Sequence, residues 1–138
     1  MKAILLLAAG LMLGLALADR PQAAPEAEDT KLAALYRLER DAARKTFEVT
    51  WQNYREGRRG IESLYWWSRR WLEAEQHLAA GPDDRAAAAA RHLERIKNLE
   101  KVIRDLQRSS IATVDEISAV EFYRAEAEIW LRQAKAAR

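Results

Sequence analysis

Residues 54–75 read Y-R-E-G-R-R-G-I-E-S-L-Y-W-W-S-R-R-W-L-E-A-E, and this stretch predicts how the chain folds. Gly57 and Gly60 stand between two runs in which apolar residues recur every three or four positions. That recurrence is typical of amphipathic helices, and glycine tolerates the left-handed conformation with which many helices end. The stretch therefore predicts a helix, a short turn and a second helix.

The second half of the chain repeats this plan. At a shift of 53 positions, residues 54–80 align with residues 107–133 with five identities. Three of the five lie in the motif Glu-Ala-Glu at 73–75 and 126–128. The sequence therefore suggests that a helical hairpin has been duplicated.

The first eighteen residues predict an export signal. Lys2 supplies a positive start, residues 3–15 form an apolar run, and Ala16-Leu17-Ala18 matches the small-x-small pattern that a signal peptidase cleaves. A membrane anchor is the competing interpretation, but a span needs about 20 apolar residues and this run is shorter. We expect cleavage after Ala18 and an exported protein, periplasmic or associated with the cell envelope.

Charge and cysteine content narrow the classes of function. The formal net charge is +2, and removal of residues 1–18 takes away one lysine and no acid. Acidic and basic residues are interspersed, which argues against nucleic acid and strongly anionic membranes as main partners. The chain has no cysteine, which excludes a lipoprotein anchor, disulfides and thiolate metal sites. Contact with a membrane surface stays open, without an anchor after cleavage.

A leader and four helices follow the signal. Residues 19–29 contain two prolines and no large apolar residue, so we expect them to be disordered. Proline at a break stops a helix. Suitable N-terminal caps are Thr30, Asp83 or Asp84, and Thr113 with Glu116. The predicted helices begin at Thr30, Ile61, Asp83 or Asp84, and Thr113, and the helical domain at 30–138 comprises hairpins at 30–80 and 83–137.

The fold class follows from these patterns. No segment alternates apolar and polar residues as a strand does, and short breaks between amphipathic helices favour antiparallel neighbours. We expect an all-α fold of four long helices in two antiparallel hairpins, as a bundle. Helix four carries a second apolar line with Phe122, Ala125 and Ile129, and a wide apolar arc indicates a central helix or one that touches a partner.

A family resemblance is carried by Tyr54-x-x-Gly57, Ile61, Leu64 and Leu72-Glu73-Ala74-Glu75. This spacing resembles the helical hairpins of outer-membrane efflux proteins of the TolC type, over roughly residues 47–80 and 100–135. The second copy has Thr113 at the family's Ser/Thr position but Ser110 where glycine is expected. The resemblance implies a duplicated hairpin. Because the transmembrane strands of that family are missing, it implies at most a hairpin-only relative.

Two histidines raise the alternative of a metal or small-ligand site. His77 and His92 flank the Gly81-Pro82 break, and Glu73 lies one turn before His77. Two histidines do not make a selective metal site, and neither has the Glu-x-x-His spacing of di-iron bundles. We expect no metal and no cofactor, and His77, His92 and Glu73 are the residues of the alternative site.

Exposed aromatic and basic residues suggest interaction instead. Four of the five tryptophans fall on inward lines, whereas Trp66 falls outside them, beside Arg69 and Arg70. Tryptophan and arginine are typical of binding hot spots, and tryptophan also suits a membrane interface. Trp66, Arg69, Arg70, Phe122 and Ile129 are the candidate interaction residues.

No motif predicts catalysis. The sequence has no Gly-x-Ser-x-Gly, no His-Glu-x-x-His and no glycine-rich phosphate loop. We therefore expect a non-enzymatic exported protein that binds an envelope protein or itself. The alternatives are a ligand- or metal-binding bundle and a periplasmic chaperone or stress adaptor with an apolar concave face.

Overall fold

The structure, a computed structural model, describes residues 25–58 and 60–137, and these residues form an all-α protein as the sequence predicts. The predicted signal peptide at 1–18 and residues 19–24 of the predicted leader lie outside the described part. Four helices follow each other: α1 is Pro25–Arg55, α2 is Ile61–His77, α3 is Pro82–Arg108 and α4 is Val114–Ala136. Helix α1 packs closely on α2, and α3 on α4, which confirms the two hairpins.

The first helix begins earlier than predicted. It starts at Pro25, so residues 25–29 of the predicted disordered leader are helical. Proline suits the first helical position, because its φ is already helical and the amide it lacks would have no partner there. Thr30 lies inside α1 and does not cap it, so both predictions were wrong at this point.

Both hairpin turns contain a residue with a positive φ. Gly57 follows α1 with a φ of 71°, and Ser110 follows α3 with a φ of 58°. These positions are 53 residues apart, so the shift that aligns the sequences also aligns the turns. Burial does not follow the shift, since Ile61 is fully buried and the aligned Val114 is 77% exposed. The internal duplication therefore stays a prediction.

The other helix boundaries show which of the predicted capping residues cap a helix. The capping box is confirmed, because the Glu116 amide donates to Thr113 Oγ1 at 3.2 Å and the Thr113 amide donates to Glu116 Oε2 at 2.9 Å. Helix α2 ends at His77, three residues before the predicted Ala80. Gly81 is the N-cap of α3, so the prediction of an aspartate cap was wrong. Asp84 instead accepts from the Ala80 amide at 3.2 Å.

The core lies between α2, α3 and α4. Near the hairpin turns, five fully or almost fully buried side chains pack together: Ile61, Leu64, Leu99, Ile103 and Val120. Towards the other end, the alanine run of α3 places Ala86, Ala88 and Ala89 in the core. Small side chains let helices approach closely, and Trp130, Leu131 and Ala134 of α4 pack against this region.

Helix α1 lies on one side of this core. Its backbone comes close to α2 but not to α3 or α4, and its contacts with the core are made by Phe47, Trp51 and Tyr54. The ring of Tyr36 lies 4.4 Å from the ring of His77 at the end of α2. Because α1 has 31 residues and α2 has 17, the part of α1 before Tyr36 extends past its partner.

Helices α2 and α4 run in the same direction. The rings of Tyr65 and Tyr123 stack at 3.9 Å, the Tyr65 hydroxyl donates to Glu126, and one turn further along the Arg69 guanidinium lies over the Trp130 ring. Burial raises the pKa of Glu126. This contact fixes the rotation of α4 and therefore which of its faces points outward.

Candidate functional site

An apolar line runs along the side of α4 that faces away from the core. Its residues follow each other at steps of four, four, three and four, which places them on one face. All five are exposed: Val114, Ser118, Phe122, Ala125 and Ile129. On the opposite side of the helix, Val120 and Ala127 are fully buried. We call these five exposed residues the outer face of α4.

The two large residues predicted to mediate interaction both belong to this face, Phe122 in its centre and Ile129 at its end. Phe122 is 62% exposed and Ile129 is 52% exposed. Residues 25–58 and 60–137 therefore leave the second apolar line of helix four uncovered, a choice that the sequence left open. Contiguous exposed apolar residues commonly mark a binding surface.

A second exposed apolar set lies on α1. Leu32, Leu35, Leu38 and Val49 are all about half exposed or more. Leu32 continues the line that packs on α2, but it lies beyond the end of α2. The other three point to a different side, where Lys45 interrupts the line between Leu38 and Val49.

The structure separates Trp66 from the outer face of α4. Trp66 is on α2, 47% exposed, with the Arg70 guanidinium 4.3 Å from its ring centre. Arg69 lies 5.4 Å from the ring centre of Trp130. Glu73 accepts from both arginines, at 3.2 and 3.3 Å. The two arginines are therefore engaged within the chain, and Trp66 is a separate exposed ring.

A buried polar cluster occupies the contact between α2 and α3. Ser68 Oγ lies 2.9 Å from His92 Nδ1, and both residues are completely buried. Arg95 donates from Nε to the same oxygen at 2.9 Å and from Nη2 to the Ser68 carbonyl at 3.3 Å. Ser68 Oγ accepts from Arg95, and its second lone pair and its own hydrogen both remain for His92 Nδ1. The tautomer of His92 decides which of these two atoms donates.

Two effects keep His92 neutral. Burial is the larger, and the positive charge of Arg95 is the next, and together they lower the pKa of His92 from 6.5 to about 4. The Nε2 atom is buried with no hydrogen-bond partner among the described residues. The rings of Trp130 and Tyr65 lie 5.6 and 6.5 Å from the imidazole. A charged imidazole has no counter-ion in these surroundings.

Arg95 is itself held in a partly apolar site. Burial lowers its pKa to about 10, and the nearby Glu75 carboxylate opposes this shift. The guanidinium carbon lies 4.0 Å from the centre of the Trp71 ring. Glu75 accepts from Arg91 at 2.9 Å, while its buried Oε2 is 3.9 Å from Arg95 Nη2, too far for a hydrogen bond. Through Glu75, Arg91 and Arg95, the cluster links α2 to α3.

Burial limits the access of a substrate to the cluster. Serine beside histidine is a combination used in nucleophilic catalysis, but neither residue has exposed surface. Ser68 and His92 were not predicted as a pair, because His92 was considered only with His77 and Glu73 as a residue of the alternative metal site. The available signal was spacing: His92 lies four residues before Ile96 and seven before Leu99, on the same buried line of α3.

The residues of the alternative metal site are not brought together. His77 is exposed and lies against Tyr36. Glu73 binds Arg69 and Arg70. His92 is fully buried beside Ser68. Within residues 25–58 and 60–137, no group of three or more histidines and acids is arranged to hold a metal ion.

A groove separates α1 from α3. Its volume is about 680 Å³, which is within the range of small-molecule sites. Phe47 and Trp51 line one wall, and Arg55, Lys101 and Asp105 are among its charged residues. The mixture of rings and both signs of charge differs from the apolar concave face expected of a chaperone.

Comparisons with known proteins give no family for this chain: no family model, no curated protein and no solved structure matches it. The resemblance to TolC-type hairpins therefore stays a prediction. In the described part of the chain, none of the helices combines the length and apolarity that crossing a membrane requires.

Proposed function

We propose that this chain is an exported, non-enzymatic helical protein of the cell envelope that acts by binding protein surfaces through its exposed apolar helix faces. One observation supports the proposal above all others: Phe122 and Ile129 are exposed on one face of α4, directly opposite the side that packs in the core. Among the described residues, the core covers one side of this helix and nothing covers the other. A second protein surface would cover it.

The energetics favour binding at this face. Covering a large apolar side chain contributes about 1.5–3 kcal/mol relative to leaving it in water, and the outer face presents three such side chains, those of Val114, Phe122 and Ile129. Ser118 and Ala125 lie between them. Small residues between large ones leave hollows that a partner helix can fill.

Two further observations support a non-enzymatic role. The residues with nucleophile and base chemistry, Ser68 and His92, are inside the core, and the alternative metal residues Glu73, His77 and His92 each have other neighbours. Descent from efflux-protein hairpins remains a prediction, and the binding function does not depend on it.

The export part of the proposal has a direct test. The full chain is produced in a bacterial host, and the mass of the product is measured in the cytoplasmic and extracytoplasmic fractions. We expect an extracytoplasmic product that begins at Asp19. A full-length product retained in the cytoplasm would contradict export.

The binding part is tested by photo-crosslinking in cells that produce the protein. A photoreactive phenylalanine analogue is placed at Phe122 or Ile129 and, as matched controls on an exposed polar face of α3, at Glu94 or Lys97. We expect protein adducts at the two α4 positions and few at the α3 positions. Equal adduct yields at both sets, or none at either α4 position, would contradict the binding function.

A further inference from the structure

The outer face of α4 has a pattern that reads the same in both directions. From Val114 to Ile129 its five members are large, small, large, small, large, with Phe122 in the centre. The steps between them are four, four, three and four residues, so a reversed copy matches in size and is offset by one residue, about 1.5 Å, on either side of Phe122. A face with this near-symmetry complements itself when a second copy lies antiparallel on it. In a twofold interface the same patch serves both partners.

We infer that a second copy of this chain covers the outer face of α4, with the two α4 helices antiparallel about a twofold axis at Phe122. Phe122 then faces the partner's Phe122, Ser118 faces the partner's Ala125, and Val114 faces the partner's Ile129. Each small pair gives the central rings room to interdigitate. The dimer is a specific form of the binding function proposed above and rests on it.

Charge complementarity selects the antiparallel direction. Glu121 and Arg124 lie on one side of the outer face and are about half exposed. The twofold operation brings each Glu121 within about one residue of register with the partner's Arg124, at a rise of about 1.5 Å per residue. A parallel pair instead aligns the helix dipoles side by side, which antiparallel packing avoids. Within the chain, Glu121 pairs with Arg104, and Arg124 pairs with Glu100 and Glu128. Because Glu121 and Arg124 are themselves about half exposed, each can also pair with the partner.

A second copy fits α4 better than α1. The exposed line on α1 places Lys45 between Leu38 and Val49, and a symmetric contact there brings this charged residue into the contact. Burial of an unpaired charge is unfavourable. The α4 line contains no charged residue between its ends.

The size of the contact sets its strength. Stable protein interfaces bury about 1,200–2,000 Å² in total, and one helix pair with five contact positions a side falls at or below the low end. We therefore expect a reversible dimer with a dissociation constant in the micromolar range, which a narrow range of concentrations would miss.

The first test measures mass. Light scattering after size exclusion is applied to the purified exported protein over a hundredfold range of concentration. We expect a rise from monomer to dimer, and an increase in the dissociation constant of at least about tenfold for Phe122→Ala, as for a central hot-spot residue. Lys97→Ala, on an exposed face of α3, is the matched control and should leave it unchanged. Unchanged helical circular dichroism shows that each variant folds.

The second test measures the register of the two helices by disulfide formation. Because the chain has no natural cysteine, only the introduced cysteines can pair. Ser118→Cys and Ala125→Cys proteins, one of them tagged, are mixed and mildly oxidised. We expect the mixed disulfide dimer to exceed either self-pair several-fold, and Phe122→Cys to pair with itself. A predominance of Ser118→Cys self-pairs would indicate a parallel pair and overturn the inference.

Other outcomes separate the dimer from the wider proposal. A dimer that crosslinks through Leu38→Cys and not through α4 overturns this interface while self-binding stands. A protein that stays monomeric at every concentration, but whose Phe122 photo-adduct contains a different protein, overturns the dimer and leaves the binding function intact. A monomer without photo-adducts overturns both.

Discussion

Ser68 and His92 form a buried hydrogen bond across the contact between α2 and α3, with Ser68 Oγ 2.9 Å from His92 Nδ1. The serine oxygen also accepts from Arg95. One hydroxyl group therefore satisfies two buried nitrogen atoms from α3. Removal of a shared partner leaves both nitrogen atoms without their hydrogen bond, which is the basis of the first prediction.

Ser68→Ala is expected to destabilise the protein by about 2–3 kcal/mol, because an unsatisfied buried polar group costs about 1–3 kcal/mol and more when it is charged. Urea unfolding followed by tryptophan fluorescence measures the change. Ser118→Ala, at an exposed serine of α4, is the control and should stay within about 0.5 kcal/mol, at a protein concentration low enough to avoid association. Equal effects of the two substitutions would show that the hydroxyl of Ser68 is not shared in this way.

Acid is expected to weaken the fold through His92. The unfolded chain binds a proton at this histidine below pH 6.5, whereas the folded protein does so only near pH 4. Stability is therefore fully present above pH 6.5 and is lost as the pH falls towards 4. Between pH 7 and 4.5 the loss should be about 2–3 kcal/mol.

Two variants isolate the contribution of His92 to the pH dependence of stability. His92→Gln removes the titrating imidazole, and His77→Gln, at the exposed histidine, is the control. Unfolding free energies are measured at pH 7, 5.5 and 4.5. We expect the pH dependence to become smaller in His92→Gln and to persist in His77→Gln. Should wild type and His92→Gln lose stability in parallel, protonation of His92 is not the cause.

Glu75 and Glu94 provide a matched pair of ion-pair acids. The side chain of Glu75 is 11% exposed and that of Glu94 is 67% exposed. Glu75→Ala should cost about 2–4 kcal/mol, because Arg95 loses the carboxylate whose charge opposes the burial of its guanidinium. Glu94→Ala breaks only an exposed pair with Lys97 and should cost less than about 1 kcal/mol. Thermal or urea unfolding compares them, and a similar cost for both would contradict the role given to Glu75.

The two hairpin turns allow a test of backbone strain alone. A Cβ atom at Gly57 meets nothing within 4 Å, so Gly57→Ser should cost about 1 kcal/mol through its positive φ only. Ser110→Gly should change stability in the opposite direction by up to a similar amount. Gly81→Ser is the control, because Gly81 is an extended N-cap with free space around it and serine is a good cap. A destabilising Gly81→Ser or a neutral Gly57→Ser would refute the assignment of strain to φ.

Sequence patterns located the elements well where the signal was local. The capping box at Thr113 and Glu116 and the glycine at the end of α1 act within one turn of chain, so their residues are adjacent in sequence. The start of α1 was missed because two prolines and the lack of a large apolar residue suggested disorder, although Pro25 suits a helix start. The burial of Ala86, Ala88 and Ala89 depends on α2 and α4, which are distant in sequence.

The candidate site was predicted in part. Phe122 and Ile129 share the exposed face that their spacing indicated, whereas Trp66 lies apart on α2 and the two arginines beside it are engaged with Glu73 and Trp130. The polar cluster was not predicted, because Ser68 and His92 are 24 residues apart and meet only when α2 and α3 pack.

By itself the sequence determined an all-α chain, four amphipathic helices and their pairing in hairpins, because apolar periodicity, caps and turn residues act over a few neighbouring residues. Only the tertiary structure decided that α1 approaches α2 alone, that His92 is buried as a neutral base beside Ser68, and that the second apolar line of α4 is uncovered. These features depend on the rotation of each helix about its axis. That rotation is set by side chains that meet across helices, such as Tyr65 and Tyr123.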